Sequence, residues 1–392
     1  MLYLTIGKHK MKLILIIVAA ILVLPAKGSD RIKTGGYVKY MNSVMFGEYD
    51  SPWMIDNLIH NRINFNWFAG DNLTFNAGMR NRLIYGDFVR FVPEYDKLIS
   101  QDNGLLHFLS AKIGSAESSV LLTTFDRFNF EYNKGRTSIT AGRQRINWGQ
   151  SFAWNPNDIF NAYSFLDFDY EERSGSDAVR VRFFPDFTSV IDVAVKMDRE
   201  NNITAAGLYR FNKWGYDIQF LAGVIGNQDY VAGTGLSGSI GKMGVTGEAS
   251  YFHPKKNYRD TTGIFMINAG LNYMFSNSLM INFEAIYNGY FRHISMDSYT
   301  DIYYSSMSVK TIAFSKFSWF GQLSYPLHPL LNASLATMYL PSLGNGFIVM
   351  PSIAYSASND LEISLRGQQF SGEFGEISEK LNMLFLRFRY SF

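Results

Sequence analysis

Apolar and polar residues alternate along most of the chain. Near the C-terminus, Leu384 and Leu386 fall on one face of an extended chain, whereas Arg387 and Arg389 fall on the other. A spacing of two residues is typical of β-strands that have one apolar and one polar face. The pattern therefore predicts an all-β protein. It recurs in segments 188–197, 279–291 and 361–371.

The predicted strands are longer than those of most soluble sheets. Segments 264–275 and 279–291 span 12 and 13 residues. Strands in globular proteins usually have about 5–6 residues, and a tilted strand crosses a bilayer in about 9–11. Aromatic residues such as Phe265 and Phe275 bracket the apolar faces, as they do in the interfacial girdles of transmembrane barrels. These strands are therefore predicted to cross a membrane.

Short and long connections alternate between the predicted strands. Bacterial barrels combine short periplasmic turns, longer outside loops and an even strand number. On that basis we count about 18 strands, within a range of roughly 16–18, with both chain ends in the periplasm. Segments 85–118 and 292–318 each leave room for one more strand. The tight turns include 70–72 and 133–135, and the long connections are 43–60, 85–118, 147–175 and 292–311.

Strands in lipid must close on themselves, because only helices and closed barrels satisfy every backbone hydrogen bond there. No apolar run after residue 24 is long enough for a helical span. The predicted fold is therefore a transmembrane, antiparallel, up-and-down β-barrel, and about 16–18 strands leave room for a water-filled lumen. A soluble all-β fold is the alternative.

The N-terminus has the features of a secretory signal peptide. A lysine-rich start precedes an unbroken apolar run, 13–24, and small residues follow it. The run is shorter than the roughly 20 residues that a transmembrane helix needs. We therefore predict a signal peptide over 1–28 and one barrel domain over 29–392. An N-terminal membrane anchor is the alternative, and the start could be Met1 or Met11.

Composition excludes several classes of function. The chain has 36 Lys and Arg against 34 Asp and Glu, with no basic block, so no nucleic-acid partner is predicted. It has no cysteine, which removes disulfides, thiolate metal sites and cysteine nucleophiles. No two of its histidines have the spacing of metal ligands. We expect no metal, no cofactor and no enzymatic activity.

The last seven residues, 386–392, alternate apolar and polar side chains and end on an aromatic residue. This ending resembles the terminal assembly signal of outer-membrane barrel proteins of Gram-negative bacteria. The resemblance implies export to the outer membrane, contact with its lipid, and recognition by the barrel-assembly machinery. It assigns the signal to Phe388, Tyr390 and Phe392.

A second resemblance lies in three neighbouring segments. They are Gly142–Gly149, Trp154–Asn161 and Glu172–Val181. Together they resemble a signature of poorly characterised porin-like proteins of Gram-negative bacteria, although Ser174 stands where members of that family often have proline. The resemblance implies an outer-membrane channel and names no substrate.

The connection 147–175 is the least regular part of the chain, because strand alternation stops at Trp148. It mixes aromatic and acidic residues, and a loop of this kind would be poorly solvated in open water. By analogy with general porins, we expect this third outside loop to fold into the lumen. A static plug and a surface loop are the alternatives.

Charged residues around this loop suggest a pore constriction. We expect four arginines on the flanking strands to form one wall, with the acidic residues of the loop opposite. Such a transverse field would filter polar solutes. The arginines are Arg143, Arg145, Arg180 and Arg182, and the acidic residues are Asp167, Asp169, Glu171 and Glu172.

These features predict a channel for passive diffusion of small hydrophilic solutes. The alternative is a structural or adhesive barrel that binds a partner through its outside loops. The surface for that role would be the loop 85–118, with its residues Phe88, Phe91, Tyr95 and Asp96. The solute, its charge and the oligomeric state, for which a trimer is one option, are left open.

Overall fold

The structure is a computed structural model that describes residues 30–166, 173, 175–294, 307–374 and 377–392, the side chains of 374 and 377–379 excepted. Its strands form one antiparallel sheet of 19 strands. Within these residues, no helix has the length and apolar character needed to cross a membrane.

The first strands are β1 (Ile32–Phe46), β2 (Met54–Phe68), β3 (Leu73–Gly86), β4 (Ser110–Ala116), β5 (Ser119–Lys134), β6 (Thr137–Gln144), β7 (Ser176–Phe183), β8 (Val190–Met197), β9 (Ile203–Lys213) and β10 (Tyr216–Ile225). The remaining strands are β11 (Asp229–Ile240), β12 (Met243–Pro254), β13 (Ile264–Met274), β14 (Met280–Asn288), β15 (Phe317–His328), β16 (Leu331–Leu340), β17 (Gly346–Ser356), β18 (Leu361–Phe374) and β19 (Ile377–Ser391). Two short helices, α1 (Asp87–Phe91) and α2 (Tyr95–Ile99), follow β3. Single 3-10 turns lie at His107–Leu109, Phe291–His293 and Val309–Thr311.

The sheet closes because β1 pairs with both β2 and β19. At the closing seam the amide of Gly36 donates to the carbonyl of Phe392 at 2.9 Å, and the amide of Phe392 donates to the carbonyl of Gly36 at 3.0 Å. All strands except β4 pair with a neighbour on each side and form the closed ring of the barrel wall. The predicted up-and-down barrel of 18 strands is therefore confirmed.

The short strand β4 completes the wall where β6 ends. On one edge β5 pairs with β3 along most of its length. On its other edge, β5 pairs with β6 between Phe128 and Lys134 and with β4 between Ser119 and Thr124. β4 therefore extends the wall along the part of β5 that β6 does not reach. It is the extra strand for which the segment 85–118 left room.

Side chains alternate between a lipid-facing surface and the lumen. On β14 the side chain of Phe283 is 45% exposed, whereas that of the next residue, Glu284, is 2% exposed. Val193 on β8 is likewise exposed, and its neighbour Asp192 is buried. The alternation read from the sequence therefore assigns these side chains to the correct faces.

Two connections fold inward and form an apolar core inside the barrel. The first is the loop over 145–166, which we call the inner loop, and the second is the segment 307–316. Trp148, Trp154 and Phe314 belong to the same buried cluster. Strand residues that complete the cluster include Ala194, Leu208, Leu221, Phe252, Met266, Ile286, Phe320, Met338 and Ile348. One side of the lumen, from β8 to β17, is therefore covered by packed side chains.

Candidate functional site

The inner loop begins where β6 leaves the sheet. Gly142 adopts a φ of +114°, and a Cβ there would collide with the carbonyl oxygen of Phe128. Only glycine tolerates this conformation easily. β6 ends two residues later, at Gln144. From Arg145 onward the chain runs across the lumen instead of continuing along the wall.

Polar side chains of the wall hold the inner loop in the lumen. The indole Nε1 of Trp148 donates to Asp192 Oδ2 at 2.8 Å. Gln219 Nε2 donates to the carbonyl of Trp148 at 2.8 Å. Farther along, Asn157 Nδ2 donates to the carbonyl of Thr234 at 2.9 Å. For residues 147–166 of the predicted third outside loop, the part that the structure describes without a gap, the prediction that the loop folds into the lumen is therefore confirmed.

The aromatic residues of the inner loop pack against the covered side of the barrel. The rings of Trp148 and Phe160 meet edge to face with centroids 4.9 Å apart. Trp154 lies edge-on to Phe320 of β15 at 6.3 Å. Phe152 contacts the same ring but is itself 46% exposed. Phe165 of the same loop also packs on Phe152, with ring centroids 5.4 Å apart.

The free part of the lumen contains a polar cavity of about 480 Å³. Three of the predicted arginines, Arg145, Arg180 and Arg182, line it. Two further arginines, Arg62 of β2 and Arg127 of β5, complete the basic lining. The remaining lining residues are Asn64, Asn66, Asn76, Ala77, Gly78, Asn129, Glu131, Thr140 and Gln144.

Arg143 does not line this cavity. It pairs in register with Asp177, on the side of β7 that carries the outward Val179 and Val181. Its Nε donates to Asp177 Oδ1 at 2.7 Å, and its Nη1 donates to Asp102 Oδ2 at 2.7 Å. The four arginines thus do not form one wall, because Arg143 lies within β6 with the opposite parity and Arg145 lies beyond its end.

Wall carboxylates are the observed partners of the cavity arginines. Arg180 Nε donates to Asp192 Oδ1 at 2.9 Å, and Arg182 Nη2 donates to Glu131 at 3.1 Å. Asp126 forms an ion pair with Arg62 at 2.5 Å. Sequence reasoning missed these acids as partners, although the alternation in segment 188–197 puts Asp192 on the polar face of its strand. The predicted acidic partners Asp167, Asp169, Glu171 and Glu172 lie outside the described residues.

Two cavity arginines have a buried nitrogen that makes no hydrogen bond. Within the described part of the chain, these atoms are Nε of Arg145 and Nε of Arg182. The cavity lining as a whole has five arginines and one glutamate. No cluster of three or more metal-ligating side chains is found in the same part of the chain. The site is thus a polar cavity with more arginines than acidic residues in its lining.

Comparisons with known proteins relate the chain to outer-membrane barrels through structure. No protein-family model matches the sequence, and no curated protein matches it. OccAB1 of Acinetobacter baumannii superposes with a TM-score of 0.57 at 10% identity, over 94% of this chain and 98% of that one. The outer membrane protein OpdK of Pseudomonas aeruginosa gives 0.55 at 8% identity, over 92% and 99%.

A third similar structure contains a solute. OccK2 (OpdF) of Pseudomonas aeruginosa, in complex with glucuronate, gives a TM-score of 0.56 at 7% identity, over 92% of this chain and 98% of that one. At these identities the likeness establishes a common fold. The barrel architecture of the chain is therefore shared with proteins of the outer membrane along nearly its whole length.

Proposed function

We propose that the protein is an outer-membrane channel for the passive diffusion of small hydrophilic solutes. The observation that carries this proposal is the polar, arginine-lined cavity beside the inner loop. A barrel of about 18 strands is wide enough for an aqueous lumen. The inner loop covers one side of that lumen, so solutes would pass along the opposite, polar side.

The charge of the cavity favours anions. Five arginines and one glutamate line it, and Asp192 neutralises part of that charge through Arg180. A low-dielectric wall concentrates the remaining positive potential and raises the local concentration of anions. The binding of glucuronate to OccK2, a barrel of the same fold, supports small organic acids as the solute class.

Further parts of the proposal concern assembly and the constriction. We expect removal of residues 1–28 during export, and recognition of Phe388, Tyr390 and Phe392 by the barrel-assembly machinery. The position of Phe392 on the closing seam supports an assembly role, because its backbone bonds to Gly36. The acidic residues Asp167, Asp169, Glu171 and Glu172 would narrow the pore opposite the arginines.

Solute flux through the purified protein tests the proposal. Single-channel recordings in planar bilayers should show discrete conductance steps, and liposomes containing the protein should swell faster in small organic acids than in uncharged sugars of the same size. The variant Arg182→Ala should reduce that preference. Lys242→Ala, in the exposed turn between β11 and β12, is the charge-matched control. Absence of conductance and swelling would contradict the channel function.

One observation favours a second function. In the connection between β3 and β5, Phe91 and Phe108 are 62% and 69% exposed. Exposed aromatic residues of this kind can bind a partner, as a structural or adhesive barrel would require. A folded protein that does not conduct but that loses partner binding on Phe108→Ser would support this alternative.

A further inference from the structure

We propose that Glu248 and Glu284 are positioning residues that hold the inner loop rigid and thereby set the open width of the pore. The inference rests on the proposed channel function, because it assigns the wall of that channel. Both side chains belong to strands of the covered side, β12 and β14. Both are 2% exposed and both point at the backbone of the inner loop.

Glu284 holds one turn of the inner loop through three successive amides. Its Oε1 accepts a hydrogen bond from the amide of Phe152 at 2.5 Å. Its Oε2 accepts from the amides of Ala153 at 3.0 Å and Trp154 at 3.2 Å. Asn268 Nδ2 also donates to Oε2, at 3.1 Å. Four donors therefore converge on one carboxylate.

Glu248 holds the two ends of the same turn. Its Oε1 accepts from the amides of Gln150 and Ser151, the latter at 3.0 Å. Its Oε2 accepts from the amide of Asn157 at 3.0 Å. The two glutamates thus accept from six backbone amides between residues 150 and 157, a stretch with no helix or strand of its own. Of these amides, that of Ser151 also donates to Asn155 Oδ1 at 2.8 Å.

Only a carboxylate suits this arrangement. It has two acceptor oxygens and no donor, so it can accept several N–H groups at once, and bonds to an ionised acceptor are stronger than neutral ones. Glutamine keeps one acceptor oxygen and turns an N–H₂ donor toward the amides. In a buried site the amides that lose their partner stay unsatisfied. That segment of the loop would then detach from the wall.

The turn that Glu284 holds belongs to the loop that fills the covered side of the lumen. Phe152 donates its amide to Glu284, and its ring packs on Phe320 of the wall. Arg145 of the same loop lines the polar cavity. Movement of the loop relative to the wall would therefore change the width of the free part of the lumen.

Hydrogen–deuterium exchange at single residues, on the folded full-length barrel in detergent, tests the anchoring directly. Glu284→Gln should speed exchange at amides 152–154 by at least tenfold and leave 150, 151 and 157 close to wild type. Glu248→Gln should speed exchange at amides 150 and 157 and leave 152–154 close to wild type, with a smaller change at 151, whose amide also bonds to Asn155. Glu362→Gln is the matched control, because Glu362 carries the same charge on β18 and bonds to Arg387 rather than to the loop.

The conductance of the same variants tests the effect on the pore. Glu284→Gln should give larger and noisier single-channel currents than either wild type or Glu362→Gln. Glu284→Asp keeps the charge but shortens the reach, so it should raise exchange and current noise with unchanged ion selectivity, and it serves if the glutamine variant does not fold.

Two results would overturn the inference. Exchange at 150–157 that matches Glu362→Gln in both glutamine variants would show that the carboxylates do not hold the loop. Altered exchange with conductance identical to wild type would show that the loop does not set the pore width. A wild-type protein that never conducts would refute the channel function instead, and the exchange pattern would still report on the anchors.

Discussion

The two sides of the lumen belong to one barrel but differ in what contacts them. From β8 to β17 many inner side chains are small or apolar, such as Ala194, Ile286 and Phe320, and the inner loop packs on them. On β2, β3 and β5–β7 the inner side chains around the cavity are mostly arginines and asparagines. Both sides alternate with the same period, but their inner side chains and the contacts of those side chains differ.

This difference shows how a barrel can contain a hydrophobic core and still keep a polar cavity. A polar group that is buried without a partner is costly, so polar residues of the covered side bond to the loop, as Glu284 does, or to each other, as Asn282 and Gln322 do. Arginines of the cavity pair with carboxylates of the wall. The shape of the free lumen is thus determined by the loop as much as by the wall.

The largest loss of folding stability is expected when a packed side chain is removed from the covered side of the lumen. Trp154→Ala removes a buried ring that packs on Phe320, and such substitutions cost about 3–5 kcal/mol. The matched change on the polar side, Asn76→Ala, loses hydrogen bonds to Asn66 and Asn129 and should cost about 1 kcal/mol. Reversible denaturant unfolding in detergent measures both. Equal costs would contradict the division of the lumen into a packed side and a solvated side.

The barrel pattern was readable from the sequence, and so was the inward loop. Phe283 and Glu284 differ in face because alternation is strict, and the aromatic residues after Trp148 needed a dry surface. The contacts that place Arg143 were not readable. Alternation in β6 stops at its end, so Arg143 and Arg145 do not share a face even though they are two residues apart.

Hydrogen bonds between residues far apart in the chain could not be predicted from the sequence either. Glu248 and Glu284 resemble any other polar residue on a lumen face, and only the fold brings them to amides about a hundred residues away in the chain. The predicted long connection 43–60 is in fact a hairpin loop between Phe46 and Met54. A polar residue, Asn57, interrupts the outward side of β2 between the exposed Ile55 and Ile59 and weakens the apolar signal.

The second largest loss of stability should distinguish the outer face of the barrel from the polar side of the lumen. Val193→Arg places a charge on the exposed outer face of β8, where a cationic residue at the bilayer midplane costs about 2–4 kcal/mol. Asn64→Arg adds the same charge to the cavity lining and should be tolerated. The fraction of heat-modifiable barrel on gels compares them. Similar losses of folded barrel in both variants would refute the assignment of faces.

A smaller loss of stability is expected at the rim of the barrel. There Arg143 bonds to Asp102 of the connection between β3 and β5. Burial alone would raise the pKa of Asp102, but hydrogen bonds from the Ser110 hydroxyl and from Arg143 outweigh it and hold the pKa below its ordinary value. Because the folded-state pKa lies below the unfolded one, this stabilisation is present in full above the unfolded pKa of about 3.9. It is lost as the pH falls through the folded-state pKa.

Asp102→Asn should therefore loosen this connection by about 1.5–3 kcal/mol at neutral pH. Limited proteolysis of segment 85–118 should show faster cleavage in the variant at neutral pH. The difference from wild type should shrink once the acid range protonates Asp102. Ion selectivity should stay as in wild type, because Asp102 and Arg143 lie away from the cavity. A selectivity change would mean that the rim belongs to the conducting path.

The most direct test of a basic path along one side of the lumen is the reversal potential of single channels under a salt gradient. We expect anion selectivity in the wild type at low salt, reduced by Arg145→Ala and Arg182→Ala and unchanged by Lys242→Ala. Selectivity should weaken in concentrated salt, since the Debye length falls to about 3 Å at 1 M. Cation selectivity, or a reversal potential that neither arginine variant alters, would contradict this expectation.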